Sequence, residues 1–164
     1  MSASAPASIR PPATRETPWI ERYLNQSWGS TTVVSGGVAH DASQLPALVA
    51  VTGRDIVGLA TFSVAEDQCE LVTLDALRRG QGIGSALLAA VAERAAGQGC
   101  RRLWLITTND NLNAIRFYQR RGMRLVAVHR GAVDEARRIK PSIPLVGEHG
   151  IAIHDELEFE RALV

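Results

Sequence analysis

Lysine is all but missing from this sequence: among 18 basic side chains in 164 residues, Lys140 is the one lysine. A P-loop needs a lysine directly after its glycines, so the glycine-rich segments here are not that motif. Cysteine is as scarce. Cys69 and Cys100 are the only two and have no CxxC spacing, which fits a reducing compartment rather than a disulfide framework or a metal site. A surplus of charge is missing too. With a formal net charge of +1 the chain has no broad attraction for nucleic acid or an anionic membrane, and neither is expected as a partner. No apolar run nears the roughly 20 residues of a membrane span. The N-terminal "MSASAPASIRPPAT" lacks the apolar core of a secretory signal, so the expected location is cytoplasmic.

What is present is the composition of an ordinary globular domain, 46% hydrophobic and 21% charged. The Ser, Ala and Pro content of residues 1–16 predicts a flexible tail, and residues 17–164 read as a single domain. "PWIERYLNQSW" spaces Trp19, Ile20, Tyr23 and Leu24 as one face of a helix. "TTVVSGG" and the two halves of "LPALVAVTGRDIVGLATFSV" read as successive strands, with "TGRD" as a hairpin turn. "CELVTLDAL" is a strand whose alternation puts Glu70, Val72 and Leu74 on one face.

A helix from Ile83 to about Ala96 follows, stopped by "GQG". The near-continuous apolar run "RRLWLITT" then reads as a strand buried on both faces, completing a βαβ unit. "DNLNAIRFYQRRG" predicts a second helix with Leu112, Ile115 and Tyr118 inward. "MRLVAVH" is a strand, "GAVDEARRIK" a short helix, "PSIPLVGEHG" a loop and "HDELEFERAL" a last strand. The fold class is α/β, a mixed sheet with antiparallel strands around a βαβ centre.

The segment that carries chemistry is "RRGQGIGSALLAA", residues 78–90. A strand running through glycines into a helix gathers backbone N–H groups and a positive helix end at one point, a nest suited to phosphate. The plainer reading is a tight strand-to-helix turn. A dinucleotide GxGxxG does not fit, because the sixth position is Ser85 counted from Gly80 and Leu87 counted from Gly82.

Arg79, Gly80, Gln81, Gly82, Ile83 and Gly84 resemble the acyl-CoA signature of the GNAT acetyltransferase superfamily, [QR]xxGx[GA]. "NAIRFYQRRGM", from Asn113 to Met123, is similar to that family's second pattern, with Met123 where a phenylalanine is usual. The resemblance covers residues 69–123 by motif and the rest by topology. It implies the GNAT fold, a central, twisted, mostly antiparallel sheet of about seven strands with flanking helices. It implies acetyl-CoA as co-substrate, a primary amine as acceptor and a homodimer.

The same resemblance implies roles for single residues. The strands before and after the first helix would splay apart, and the backbone of Val72 and Leu74 would pair with the pantetheine arm. The Leu74 N–H would then polarise the thioester carbonyl. Arg79 to Ser85 would hold the phosphates, with Asn113 and Phe117 lining the cofactor site. Tyr118 would protonate the departing thiolate. Glu70, a carboxylate entering an apolar strand, is the candidate base, since burial raises a carboxyl toward neutrality; its plainer reading is a solvated strand-edge acid.

Other residues point less far. His149, His154 and Asp155 have no metal-motif spacing. Glu156, Glu158 and Glu160 at period two read as the wet face of a strand, Arg116, Arg120 and Arg121 as a solvated helix face, and Trp104 as core. Two further functions stay open: an acyl-CoA sensor without turnover, and a nucleotide-binding α/β domain.

Overall fold

A computed structural model describes residues 5–163. Seven strands form one sheet in the order β1-β4-β5-β6-β7-β9-β8. They are β1 (Ser8–Arg10), β4 (Ala47–Thr52), β5 (Asp55–Ala65), β6 (Gln68–Ala76), β7 (Arg102–Thr108), β8 (Arg124–His129) and β9 (Glu156–Ala162). Every pairing is antiparallel except β6 with β7. That exception has a simple cause, because the 15-residue helix α2 (Ile83–Gly97) crosses from one strand to the other.

The α2 face of the sheet holds the larger core, with Phe62, Leu71, Leu87, Val91, Leu103, Leu105 and Phe159. Helix α3 (Leu112–Arg120) packs there through Ala114, Ile115, Phe117 and Tyr118. Helix α1 (Thr17–Trp28) covers the other face, where Ile20 and Leu24 meet Val33, Val49, Leu59 and Val72. Helix α4 (Ala132–Ile139) buries Val133 and Ala136. No helix among the described residues is long and apolar enough to cross a membrane.

Several sequence expectations need correction. Ser8–Arg10 pairs with Val49–Val51, and Ala7 and Ile9 pack on the larger core, so the tail expected through residue 16 is in part an edge strand; residues 1–4 lie outside the described residues. "TTVVSGG" leaves the main sheet. Gly36 and Gly37 both take positive φ (+58° and +79°), the requirement of a tight two-residue hairpin turn, and fold β2 (Thr32–Ser35) onto β3 (Val38–Asp41). Strand β7 alternates instead of burying both faces: Leu103, Leu105 and Thr107 are buried, Trp104 and Ile106 only partly. Trp104 therefore sits outside the main core, with Arg102 over its ring. Leu112 is 45% exposed at the start of α3 and is not a core residue.

Candidate active site

The site is built where two neighbouring strands stop pairing. Parallel register between β6 and β7 runs from Gln68 with Arg102 to Leu71 with Leu105 and ends there. Both strands continue, β6 beside β5 to Ala76 and β7 beside β9 to Thr108, so a gap opens between them. At that point β6 carries a bulge: Thr61 faces Thr73 and Phe62 faces Leu71, leaving Val72 as the extra residue. The alternation shifts by one. Val72 stays on the α1 face with Glu70, whereas Leu74 packs toward the larger core. The expected shared face for Glu70, Val72 and Leu74 thus breaks at Val72, because one inserted residue reverses every later side chain.

Beyond the gap the glycine segment turns the chain into α2. Gly80 and Gly82 both have left-handed φ, +75° and +70°, and a Cβ on either would point into open space. They are glycines for backbone conformation, and the space above them is free for a ligand. Gly82 is the N-cap of α2, and among the described residues no side chain caps it. The positive end of the helix lies next to exposed Arg79 and Gln81, which is a fit for phosphate oxygens.

Three residues of the signature do other work. Ile83 is 3% exposed and sits in the core. A Cβ on Gly84 would come within 3.2 Å of the Phe117 ring, so this glycine lets α3 approach α2. Ser85 Oγ accepts from Arg121 Nε at 2.6 Å. Arg121 also donates to the Phe117 carbonyl and lies 3.7 Å over its ring, so it bridges the helices and is not part of a solvated face.

A groove of 660 Å³ runs along this gap, lined by Leu74, Asp75, Arg79, Gly80 and Gly84 on one side and Asn113, Phe117 and Tyr118 on the other. Asn111 caps α3 by accepting from the Ala114 N–H at 3.1 Å, which fixes the helix against the groove. Arg116 donates to Asn113 Oδ1 at 3.2 Å. Tyr118 is 9% exposed, edge-on to Phe117 at 5.1 Å. Burial, then the nearby Asp75 charge, pushes its phenol well above the ordinary value, so it is protonated at neutral pH and can donate.

On the opposite face, Glu70 lies under the β2–β3 hairpin and is 5% exposed. Ser35 Oγ donates to Oε1 at 3.3 Å, and His40 Nε2 is 3.4 Å from the same oxygen. Oε2 is buried without a partner among the described residues. Burial first, with the charges of Glu156 and Glu158 adding, pushes the Glu70 carboxyl up to about 7 despite the Ser35 hydrogen bond. Burial also lowers His40. Glu70 is thus a core acid poised near neutrality and not a solvated edge residue.

The last strand departs from its wet-face reading in the same way. Glu156 is 3% exposed and accepts from the Gly36 N–H at 3.2 Å. Glu158 and Glu160 are tied by Arg102, and Glu158 also meets His129 at 2.9 Å. Around His149, His154 and Asp155, no group of three or more His, Cys, Asp or Glu among the described residues could hold a metal.

Sequence reasoning passed over Asp75 and Trp28. Asp75 follows Leu74 in the groove wall, and Trp28 Nε1 donates to its Oδ2 at 3.0 Å from the end of α1. Burial raises this carboxyl as well, opposed by the hydrogen bonds from Trp28 and Tyr23. An aspartate inside an otherwise apolar strand was the available signal.

The profile of the Acetyltransferase (GNAT) family matches residues 10–123. Two Bacillus subtilis (strain 168) proteins, both named uncharacterized, are similar over most of their lengths. YdhI is 40% identical across 86% of this chain and 89% of its own, and YxbD is 37% identical across 88% and 91%. Among solved structures, the IAA acetyltransferase from Bacillus cereus ATCC 14579 superposes with TM-score 0.70 at 18% identity, covering 96% of this chain and 99% of its own. A GNAT family acetyltransferase from Elizabethkingia anophelis with acetyl-CoA bound gives 0.69 at 16% identity, covering 97% and 99%. With the splayed strands, the glycine turn and the expected mixed sheet of seven strands in place, these matches establish that the chain belongs to the GNAT acetyltransferase family.

Proposed function

We propose that this protein is an N-acetyltransferase that moves the acetyl group of acetyl-CoA to a primary amine by direct attack in a ternary complex. The observation that carries the reading is the groove at the splay, where the free edge of β6, the uncapped start of α2 and Tyr118 line one continuous cavity. Acetyl-CoA supplies an activated acyl group. The protein supplies position, charge and protons.

Arg79, Gln81 and the amides from Gly82 to Ser85 hold the pyrophosphate, and the backbone of Val72 and Leu74 pairs with the pantetheine arm. Asn113 and Phe117 close the other side. The Leu74 N–H donates to the thioester carbonyl and strengthens as negative charge grows there. Tyr118, kept protonated by burial, gives its proton to the departing sulfur.

Glu70 takes the proton of the acceptor amine through a water on the α1 face, a task suited to a carboxyl poised near neutrality. A second reading gives this task to Asp75, favoured because Asp75 lines the groove and Glu70 does not. The two differ in their variants: Glu70→Gln abolishes the acid limb of the pH profile in the first, Asp75→Asn in the second.

The test is steady release of free thiol from acetyl-CoA with a panel of primary amines. Amine-dependent turnover supports the enzyme. Tight acetyl-CoA binding with no release for any amine would make the protein a sensor instead.

A further inference from the structure

On the α1 face of the sheet, behind the groove, lies a second cavity of 150 Å³. Trp28, Val33, Val34, Val133, Ala136 and Ile143 form its apolar wall, drawn from α1, β2, α4 and the loop after α4. These segments lie outside residues 69–123, the stretch that the two motifs cover. The polar groups at the wall are already held by the protein. Lys140 Nζ donates to the carbonyls of Trp28 at 2.7 Å and Thr32 at 2.8 Å. Glu156 accepts from Gly36, and Thr108 Oγ1 donates to Asp110. What is left for a guest is an apolar surface.

Trp28 links this pocket to the groove. Trp28 lines the pocket, and its Nε1 holds Asp75, which lines the groove beside Leu74 and Tyr118. Trp28 is therefore the residue through which the pocket wall and the groove wall meet. An apolar cavity of this size takes a guest as large as benzene, about six heavy atoms. A cationic tail would lose its water there, and the opposite charges of Lys140 and Glu156 in the wall leave it no net attraction to offset that loss.

We infer that the acceptor is a small primary amine carrying a compact, uncharged apolar group, which this pocket seats while the amine reaches the groove. The inference rests on the transferase reading above. Each methylene buried contributes about fourfold in affinity, so selection among amines follows size and charge of the tail.

The test pairs turnover with calorimetry on CoA-loaded protein, using isopentylamine, phenethylamine, ethylamine, ethanolamine and 1,4-diaminobutane. Isopentylamine is expected to exceed 1,4-diaminobutane and ethanolamine at least tenfold in kcat/KM. Ala136→Phe fills the pocket and should lower the isopentylamine-to-ethylamine ratio about tenfold, and Ile143→Ala should shift preference toward phenethylamine; acetyl-CoA affinity monitors the fold of both. Equal or better use of the diamine, equal loss for all amines in Ala136→Phe, or neither binding nor turnover of isopentylamine would overturn the inference. Isopentylamine binding that Ala136→Phe abolishes, with no acetylation of any amine, would uphold the pocket and overturn the transferase reading.

Discussion

Tyr118 and Glu70 are both raised by burial, with opposite consequences. The phenol keeps its proton across the physiological range and remains a donor. Tyr118→Phe should therefore cut turnover about a hundredfold or more while acetyl-CoA affinity, measured by calorimetry, stays within twofold of the parent. For Glu70, with its carboxyl near 7, the base form grows as pH rises through that value. Turnover should fall below about pH 7 in the parent, and Glu70→Gln should show its largest deficit above it.

Stability moves the other way. A carboxyl raised in the folded state makes folding less favourable as pH climbs from the unfolded value near 4.3 to the folded value of about 7. Glu70→Gln removes that cost, so it should be more stable than the parent by roughly 3–4 kcal/mol above pH 7 and show no such gain below pH 4. Denaturant titrations at the two pH values read this directly; a gain of equal size at both would assign the effect to packing instead of ionisation.

At the scale of elements, the groove exists because α2 lies close on β5 while β6 and β7 part. Gly58 on β5 permits that approach: a Cβ there would come within 2.6 Å of Ile83 Cγ2 and 2.9 Å of Leu87 Cδ1. Gly58→Ala should lower unfolding free energy by roughly 1–3 kcal/mol and weaken acetyl-CoA binding, since the shifted helix carries the glycine turn. Unchanged stability would mean that α2 yields without cost.

The helices, the β4–β5 hairpin and the βαβ centre were legible in the sequence because period and turn residues agree at each. The bulge at Val72 was not, since one extra residue leaves the apolar pattern of "CELVTLDAL" intact while reversing Leu74. The burial of Glu156, and what covers Glu70, were also hidden. Both depend on the β2–β3 hairpin, whose Ser35 and Gly36 lie 35 and 120 residues from the carboxylates they bond.

For the whole molecule, the two faces of the sheet divide the labour. The α2 face carries the glycine turn and Tyr118, which the motifs announced; the α1 face carries the apolar pocket, made by segments distant in sequence. Side chains meeting across such distances leave no local spacing to read, so the glycine turn was legible and the apolar pocket was not. The gap between β6 and β7 is the proposed acetyl-CoA site. Its most direct test is a calorimetric titration of the folded protein with acetyl-CoA, beside ATP and a Gly82→Trp variant that obstructs the turn. One saturable acetyl-CoA site is expected, abolished in the variant and not matched by ATP; a folded parent protein that takes up no acetyl-CoA would show that the gap is not the site.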